Sequence, residues 1–156
     1  MQLHLVFLGK TAFPEMEVGV NRYLDRLRFY IPAKIHVVKT EKISPKDGEE
    51  KGKEKEADRV LKLLGKRDCL VVWDQRGRGT DSPGFARLLD AFRNNGVSEL
   101  WMVIGGPFGV SQRLLERADC VLSLSKMTFP HDLVRLMVME QVYRAFTILK
   151  GEPYHK

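Results

Sequence analysis

Five short apolar runs alternate with segments of helical periodicity, and this alternation constrains the fold more than any other feature. The runs predict strands at Leu3–Leu8, Lys34–Val38, Cys69–Trp73, Leu100–Ile104 and Val121–Leu124. Helices are predicted over Pro14–Arg28, around Ala57–Leu64, over Ser82–Asn94 and Ser111–Arg117, and over Asp132–Leu149. The polar segment 40–55 predicts a solvated loop that passes into a solvated helix face, and residues 74–82 predict a glycine-punctuated loop before a helix that Ser82 can cap. Strands separated by helices of this length favour a mostly parallel sheet with helices on both faces. We therefore predict a single α/β domain spanning residues 1–156.

The chain carries a formal net charge of +6, which favours a polyanionic partner such as RNA, DNA or an anionic surface. Many small basic proteins bind no nucleic acid, so charge alone decides little. Its two cysteines, Cys69 and Cys120, each begin an apolar run, a position that suits small buried hydrophobic residues. Their number and spacing predict neither a zinc site nor a disulfide framework. The first ten residues lack a basic leader, and no stretch has the length of a membrane span. We predict a soluble, cytoplasmic protein.

A glycine-rich turn, Gly105–Gly109, follows the fourth predicted strand directly. It has neither the spacing of a dinucleotide-binding fingerprint nor that of a phosphate-binding loop, and a plain strand-to-helix connection explains it at least equally well. Trp73 and Leu124 also lie at strand ends. Ligands bind at the carboxyl ends of parallel strands, so these loops predict a cleft for an adenosine-like ligand. Leu124, Met127 and Phe129 would supply apolar contacts there, unless Met127 and Phe129 simply fill the core.

The last predicted helix is apolar around most of its circumference, with a polar stripe at Glu140, Arg144 and Thr147. Such a helix must be covered on more than one side, and a second subunit is the economical cover. We expect its N-cap at Asp132 or just before. Arg135 lies off the polar stripe and needs a partner. It could form a structural ion pair or face an anionic ligand or a developing negative charge, and the spacing does not separate these alternatives.

Two histidines lie near the ends of this helix. His131 follows Pro130, and His155 belongs to the polar and aromatic tail Tyr154–Lys156. A lone histidine is more often structural than catalytic, and a free tail is the default expectation. The functional alternative is a tail folded over a cleft, where it offers stacking and phosphate contacts.

Four segments together resemble the RlmH family of SPOUT methyltransferases. They are V-I-G-G-P-x-G, L-S-L-S-K-M-T-F-P-H-x-L-V-R, E-Q-V-Y-R-A-F and the ending G-E-P-Y-H-K. The resemblance covers the whole chain in length and strand–helix order, and it is specific over residues 101–156.

This resemblance implies a C-terminal trefoil knot and a cofactor site, roughly within residues 70–156, that binds S-adenosylmethionine. It also implies a homodimer with the site at its interface, and methyl transfer to N3 of a pseudouridine in 23S rRNA on the assembled ribosome. The cofactor contacts would fall on Trp73, Gly105, Gly106, Leu124, Ser125, Lys126, Met127, Thr128 and Phe129. The residues expected to face the RNA base, partly from the partner subunit, are His131, Arg135, Tyr154 and His155.

The implied chemistry gives these side chains roles. His131 or His155 could accept the N3 proton, directly or through water. Arg135 and Lys126 could stabilise charge on the carbonyl oxygens of the base. No metal is required, and the sequence suggests no metal-ligand cluster.

Two other classes of function compete with this one. A non-catalytic ribosome-binding or RNA-binding module with the same fold would leave the glycine turn and residues 125–130 without a purpose. A nucleotide hydrolase lacks a phosphate loop and a carboxylate-metal constellation. Some basic residues could contact rRNA phosphates, although they could equally well be ordinary solvent-exposed side chains. They are Arg22, Arg26, Arg76 and Arg78.

Overall fold

The computed structural model describes residues 1–41 and 48–155. Within them the strands are β1 (Gln2–Leu8), β2 (Ala33–Val38), β3 (Cys69–Gly79), β4 (Glu99–Ile104) and β5 (Cys120–Ser123). The helices are α1 (Pro14–Leu27), α2 (Gly48–Leu61), α3 (Ser82–Asn94), α4 (Gln112–Arg117) and α5 (His131–Leu149). The predicted alternation of strands and helices is confirmed.

The five strands form one sheet in the order β2-β1-β4-β3-β5, and every pairing is parallel. Helices α1, α3 and α5 cover one face, where Leu24, Leu89 and Val142 belong to the larger core cluster. Helices α2 and α4 cover the other face, where Val60 and Leu114 belong to the second cluster. The predicted α/β sheet with helices on both faces is therefore confirmed, and all strands end at the same edge of the sheet.

The third strand is longer than the sequence predicts. A loop is expected over residues 74–82, but strand structure continues to Gly79, so that expectation is wrong for residues 74–79. β3 pairs with β5 first from Val71 to Trp73 and again at Arg78 and Gly79, with a register shift between the two stretches. A Cβ at Gly77 would lie 2.5 Å from the Leu122 backbone carbon, so only glycine permits this close second pass. The trefoil knot itself stays a prediction.

The starts of α2 and α3, which lie on opposite faces of the sheet, refine the sequence prediction. α2 begins at Gly48, within the polar segment 40–55 that the sequence predicts to pass from a loop into a solvated helix face; its Gly52 and Glu56 are nevertheless buried. Residues 42–47 of that segment lie outside the described residues. α3 is capped by Asp81 rather than Ser82, because the Asp81 carboxylate accepts a hydrogen bond from the Gly84 N–H at 2.6 Å.

The sequence analysis places the N-cap of the last helix at Asp132 or just before it, and the structure excludes Asp132. The helix begins at His131 with Pro130 as its N-cap, so Asp132 does not cap it. The Asp132 side chain points instead to the segment before α1, where its Oδ2 accepts hydrogen bonds from the backbone N–H groups of Ala12 and Phe13. The first turn of α5 is thereby bonded to the segment between β1 and α1.

Cover for the apolar α5 comes partly from its own chain, through packing against α1, α3 and the sheet. Leu133, Leu136 and Met137 stay partly exposed. These three side chains form an apolar strip that a second subunit could bury, as the sequence analysis expects. No helix in the described part of the chain is long and apolar enough to cross a membrane.

Candidate cofactor and catalytic site

A cleft of about 930 Å³ opens at the carboxyl ends of β4 and β5 and beside the middle of β3, from Trp73 onward, and we call it the carboxyl-edge cleft. Its volume lies in the range of small-molecule sites. The start of α2 and the start of α5 complete its walls. The residues that line it are Glu49, Glu50, Lys53, Trp73 to Arg76, Ile104 to Val110, Gln112, Ser123 to Ser125, Met127 to Phe129, His131 and Val134.

Nearly all predicted cofactor residues lie together in this cleft. The structure brings Trp73, both glycines of the turn and the loop from Leu124 to Phe129 to one place, with Lys126 as the exception. Lys126 is exposed and its side chain does not line the cleft. The sequence prediction of a ligand cleft at the ends of these strands therefore agrees with the observed geometry.

The glycine turn forms a tight loop whose backbone faces the cleft. Gly106 and Gly109 form an antiparallel bridge, and the Gly109 N–H donates to the Gly106 carbonyl oxygen at 3.0 Å. Gly109 has a φ of +77°, which favours glycine. A Cβ at Gly106 would lie 3.0 Å from the Leu8 carbonyl oxygen, so the turn packs directly on the end of β1.

The opposite wall, from Ser123 to Phe129, is stabilised by its own serines. The Ser123 hydroxyl donates to the Ser125 carbonyl oxygen at 2.7 Å, and the Met127 N–H donates to Ser125 Oγ at 3.0 Å. Met127 is 71% exposed, so core filling does not explain it. Phe129 is half-buried. The wall therefore presents one exposed apolar side chain and several backbone groups to a ligand.

Trp73 contributes a polar group without a partner. Its side chain is buried and packs edge-on against Phe85 at 5.4 Å between ring centroids. Its Nε1–H finds no acceptor among the described residues. An unpaired buried donor costs about 1–3 kcal/mol, which an acceptor on a bound molecule would recover.

His131 lines the cleft at the first residue of α5. Its Nε2 lies 3.2 Å from Asp132 Oδ1, and its side chain is 27% exposed. Burial lowers the pKa of His131 below 6.5, and the charge of Arg135 lowers it further against the opposing effect of Asp132. The imidazole is thus neutral near pH 7 and able to accept a proton.

Arg135 is fully buried and bonded within the fold. Its Nη1 donates to Asp132 Oδ1 at 3.0 Å and to Thr11 Oγ1 at 3.2 Å, and its Nη2 donates to the Leu8 carbonyl oxygen at 2.7 Å. The guanidinium also lies over the Phe7 ring, 5.1 Å from its centroid. Burial lowers the pKa of Arg135, and the Asp132 carboxylate counters this effect.

Of the two interpretations of Arg135, the structural ion pair with Asp132 is the observed one. Arg135 has no exposed surface and does not line the cleft, so the geometry of one chain does not support its contact with a substrate. It acts on the site by holding the β1 end and the α5 start together.

The tail folds back along α5. Tyr154 Oη donates to Glu140 Oε1 at 3.1 Å and lies 3.4 Å from Tyr23 Oη, and its ring packs on Tyr143 and beneath Arg144. Desolvation, the Tyr23 hydroxyl and Glu140 raise the pKa of Tyr154, so it stays protonated at physiological pH. Of the two expectations for the tail, the ordered one fits the described residues.

The tail approaches a different cleft from the one that holds His131. This second cleft, of about 860 Å³, lies between α3, α5 and the end of β3, and His155 is among its lining residues. Trp73, Ser123 and Leu124 line both clefts. The predicted catalytic residues are therefore not brought together by one chain, since His131 lies in one cleft and His155 in the other.

The sequence analysis assigned no role at the site to two acidic residues, Asp74 and Asp132. Asp74 lines the carboxyl-edge cleft, and Arg76 pairs with it at 2.8 Å and lowers its pKa. Asp132 is 1% exposed and touches four different groups. The one signal available for Asp132 was its position beside His131 and three residues before Arg135. The described residues contain no group of three or more potential ligands placed to hold a metal ion.

Comparison with known proteins places the fold. The family model described as "Predicted SPOUT methyltransferase" matches residues 1–155. The chain belongs to the SPOUT methyltransferase family. Two relatives are named "Ribosomal RNA large subunit methyltransferase H". The protein from Syntrophobacter fumaroxidans is 57% identical over 100% of both chains, and that from Trichlorobacter lovleyi is 43% identical over 99% of both.

A solved structure shares the fold at low identity. It is a probable methylase family protein from Haemophilus influenzae Rd KW20, with a TM-score of 0.54 and 15% identity over 99% of this chain and 70% of that one. This likeness concerns the fold alone, whereas the family model and the two full-length relatives confirm the family predicted from the four sequence segments.

Proposed function

We propose that the chain is an S-adenosylmethionine-dependent methyltransferase that methylates N3 of a pseudouridine in 23S rRNA on the assembled ribosome, in the cytoplasm. The observation that carries this proposal is the carboxyl-edge cleft, where the glycine turn and the Leu124–Phe129 loop face one another beside His131. The names of the two full-length relatives support the choice of large-subunit rRNA as the substrate.

The cleft fits the proposed methyl donor. Glycines 105 and 106 let backbone approach a ligand, Met127 offers an apolar contact, and the unpaired Trp73 Nε1–H offers a hydrogen bond. S-adenosylmethionine supplies a methyl group that is already activated for displacement. The work left to the protein is alignment, exclusion of water and removal of one proton.

Proton removal falls to His131 rather than His155. The N3 proton of a uracil-type base must leave as the nitrogen becomes nucleophilic. His131 lines the proposed donor cleft and is neutral near pH 7, whereas His155 lies in the second cleft of the same chain. A neutral imidazole can accept a proton and is therefore suited to general-base catalysis.

A homodimer would complete the site. The second cleft is apolar through Leu133, Leu136 and Met137, and it shares Trp73 and Leu124 with the carboxyl-edge cleft. A second copy seated there would bury these side chains and bring its own Tyr154 and His155 toward the proposed donor site.

The rRNA would bind through charge. The net charge of +6 and the exposed Arg22, Arg26 and Arg78 provide contacts for phosphates. Arg76 is already paired with Asp74, so it is the weakest candidate among the predicted arginines.

The test is methyl transfer from labelled S-adenosylmethionine to ribosomes that lack the modification, followed by mapping of the methylated nucleotide. We expect label at N3 of one pseudouridine in 23S rRNA, and none with the His131→Gln variant. Donor binding by calorimetry with no transfer to ribosomes or free rRNA would contradict the proposed substrate. Ribosome binding without donor binding would favour the alternative, a non-catalytic module.

A further inference from the structure

We propose that Asp74 and Arg76 form the subsite for the amino-acid end of the methyl donor, where the Asp74 carboxylate binds the ammonium group and the Arg76 guanidinium binds the carboxylate. This inference rests on the proposed function, in which S-adenosylmethionine occupies the carboxyl-edge cleft. Both residues line that cleft, on the stretch of β3 that follows Trp73.

The two side chains are held beside one another by their own hydrogen bonds. Asp74 Oδ1 accepts from the Arg76 backbone N–H at 2.9 Å and from Arg76 Nε at 2.8 Å, and Asp74 Oδ2 accepts from Arg76 Nη2 at 3.0 Å. The hydrogen bonds from the guanidinium lower the pKa of Asp74, so its carboxylate is ionised at neutral pH. A negative and a positive charge therefore lie side by side on the cleft wall.

The pair keeps hydrogen-bonding capacity that its mutual bonds do not use. A carboxylate has more lone-pair positions, and a guanidinium more N–H donors, than these three bonds occupy. Among the described residues Arg76 Nη1 has no acceptor, and Asp74 Oδ2 accepts only the bond from Nη2. An ammonium group needs an acceptor and a carboxylate needs donors, so the pair can bind both without first separating.

The other charged side chains of the cleft wall come from α2 and are less suited to these roles. Glu49 is exposed, and the Glu50 side chain is 67% exposed and bonded to Lys53 at 3.3 Å. The Asp74 side chain is only 8% exposed, so water screens its attraction for an ammonium group far less. Lys53 is the rival cation, but the planar fork of Arg76 matches a carboxylate better than an ammonium group does.

The amino-acid end distinguishes the donor from simpler adenosine compounds. It is a zwitterion, and adjacent opposite charges are the arrangement that recognises one. S-adenosylhomocysteine, which remains after methyl transfer, carries the same end, whereas 5′-methylthioadenosine has the adenosine and the sulfur but no amino acid. The pair should therefore contribute to the binding of S-adenosylhomocysteine and contribute nothing to that of 5′-methylthioadenosine.

The experiment is calorimetric titration of the full chain with each of these two compounds. Wild type should bind S-adenosylhomocysteine at least about tenfold more tightly than 5′-methylthioadenosine. Arg76→Gln and Asp74→Asn should each weaken S-adenosylhomocysteine binding about tenfold, because each removes one charge-assisted hydrogen-bonding partner. Both variants should bind 5′-methylthioadenosine as wild type does, with unchanged circular dichroism.

The matched control is Arg93→Gln. Arg93 pairs with Asp90 on α3, and its side chain is 51% exposed against 55% for Arg76, but it lines neither cleft. This variant should bind both compounds as wild type does. Lys53→Gln tests the rival cation, and a loss of S-adenosylhomocysteine binding there with none in Arg76→Gln would overturn the role of Arg76.

Further outcomes separate this inference from the proposed function. Unchanged S-adenosylhomocysteine binding in either pair variant would overturn the inference and leave the proposed function standing. Equal losses for both compounds in Asp74→Asn would also overturn it, since the carboxylate would then bind the ribose that the two compounds share. Wild type that binds neither S-adenosylmethionine nor S-adenosylhomocysteine would contradict both. The expected affinities without methyl transfer to ribosomes would support the inference and contradict the proposed substrate.

Discussion

The burial of Arg135 and Asp132 allows the loss of unfolding free energy on replacing Arg135 by methionine to be predicted from the structure. Arg135 and Asp132 form an i, i+3 pair at the start of α5, with side chains 0% and 2% exposed. The substitution keeps most of the side-chain volume but leaves a buried carboxylate without its cation. Breaking one partner of a buried pair typically costs about 3–5 kcal/mol.

The lower part of that range applies here because Asp132 keeps two backbone donors, Ala12 N–H and Phe13 N–H. We expect Arg135→Met to lose about 3 kcal/mol of unfolding free energy. At about 2–4 °C per kcal/mol for a domain of this size, the melting temperature should fall by about 6–12 °C. The assay is urea and thermal unfolding followed by circular dichroism at one fixed protein concentration.

A matched control lies in α3. Asp90 and Arg93 form another i, i+3 pair, but their side chains are 32% and 51% exposed. Arg93→Met should therefore cost no more than about 1 kcal/mol, as surface pairs do. The double variant Asp132→Asn with Arg135→Met should be more stable than the sum of its single changes, since no unpaired charge remains. An Arg135→Met loss no larger than that of Arg93→Met would refute the buried-pair account.

Three further predictions follow from other parts of the structure. Gly77→Ala should destabilise the protein by more than 2 kcal/mol, because its Cβ would lie within 3.0 Å of the β5 backbone, whereas Gly79→Ala, with open space, should change unfolding free energy by less than about 0.5 kcal/mol. Methyl transfer should be constant above pH 7 and decline only below pH 6.5, because the lowered pKa keeps His131 neutral above it; a decline starting above pH 7 would contradict this. A thiol reagent at pH 8 should label Cys120 before Cys69, which is 8% exposed and whose pKa is raised to about 12; the reverse order would contradict the burial.

The strands and the loops of the carboxyl-edge cleft were predictable from the sequence because their signals are local. Apolar runs of strand length located Gly105 and Leu124 just after strands that end at one edge of a parallel sheet. Trp73 lies level with them, paired with Ile104 and Leu122, although β3 continues beyond it to Gly79. The second pairing of β3 with β5 was not predictable. It depends on the close approach of Gly77 to Leu122, which are far apart in the sequence, and residues 74–79 show no strand periodicity that would indicate it.

The residues predicted to be catalytic divide in the same way. Sequence spacing could not decide the role of Arg135, because Asp132–Arg135 and Asp90–Arg93 have the same i, i+3 spacing and differ only in burial. The separation of His131 from His155 into different clefts depends on the path of the tail along α5, which tertiary contacts of Tyr154 determine.

Calorimetric titration of S-adenosylmethionine tests the central claim, that the carboxyl-edge cleft holds the methyl donor. The variant is Thr128→Trp, which puts a large side chain at an exposed position on the cleft wall, and its control is Lys126→Trp, exposed in the same loop but outside the lining. Wild type and Lys126→Trp should bind the donor alike, and Thr128→Trp should lose at least tenfold in affinity with unchanged circular dichroism. Equal binding by all three proteins would place the donor elsewhere and contradict the account.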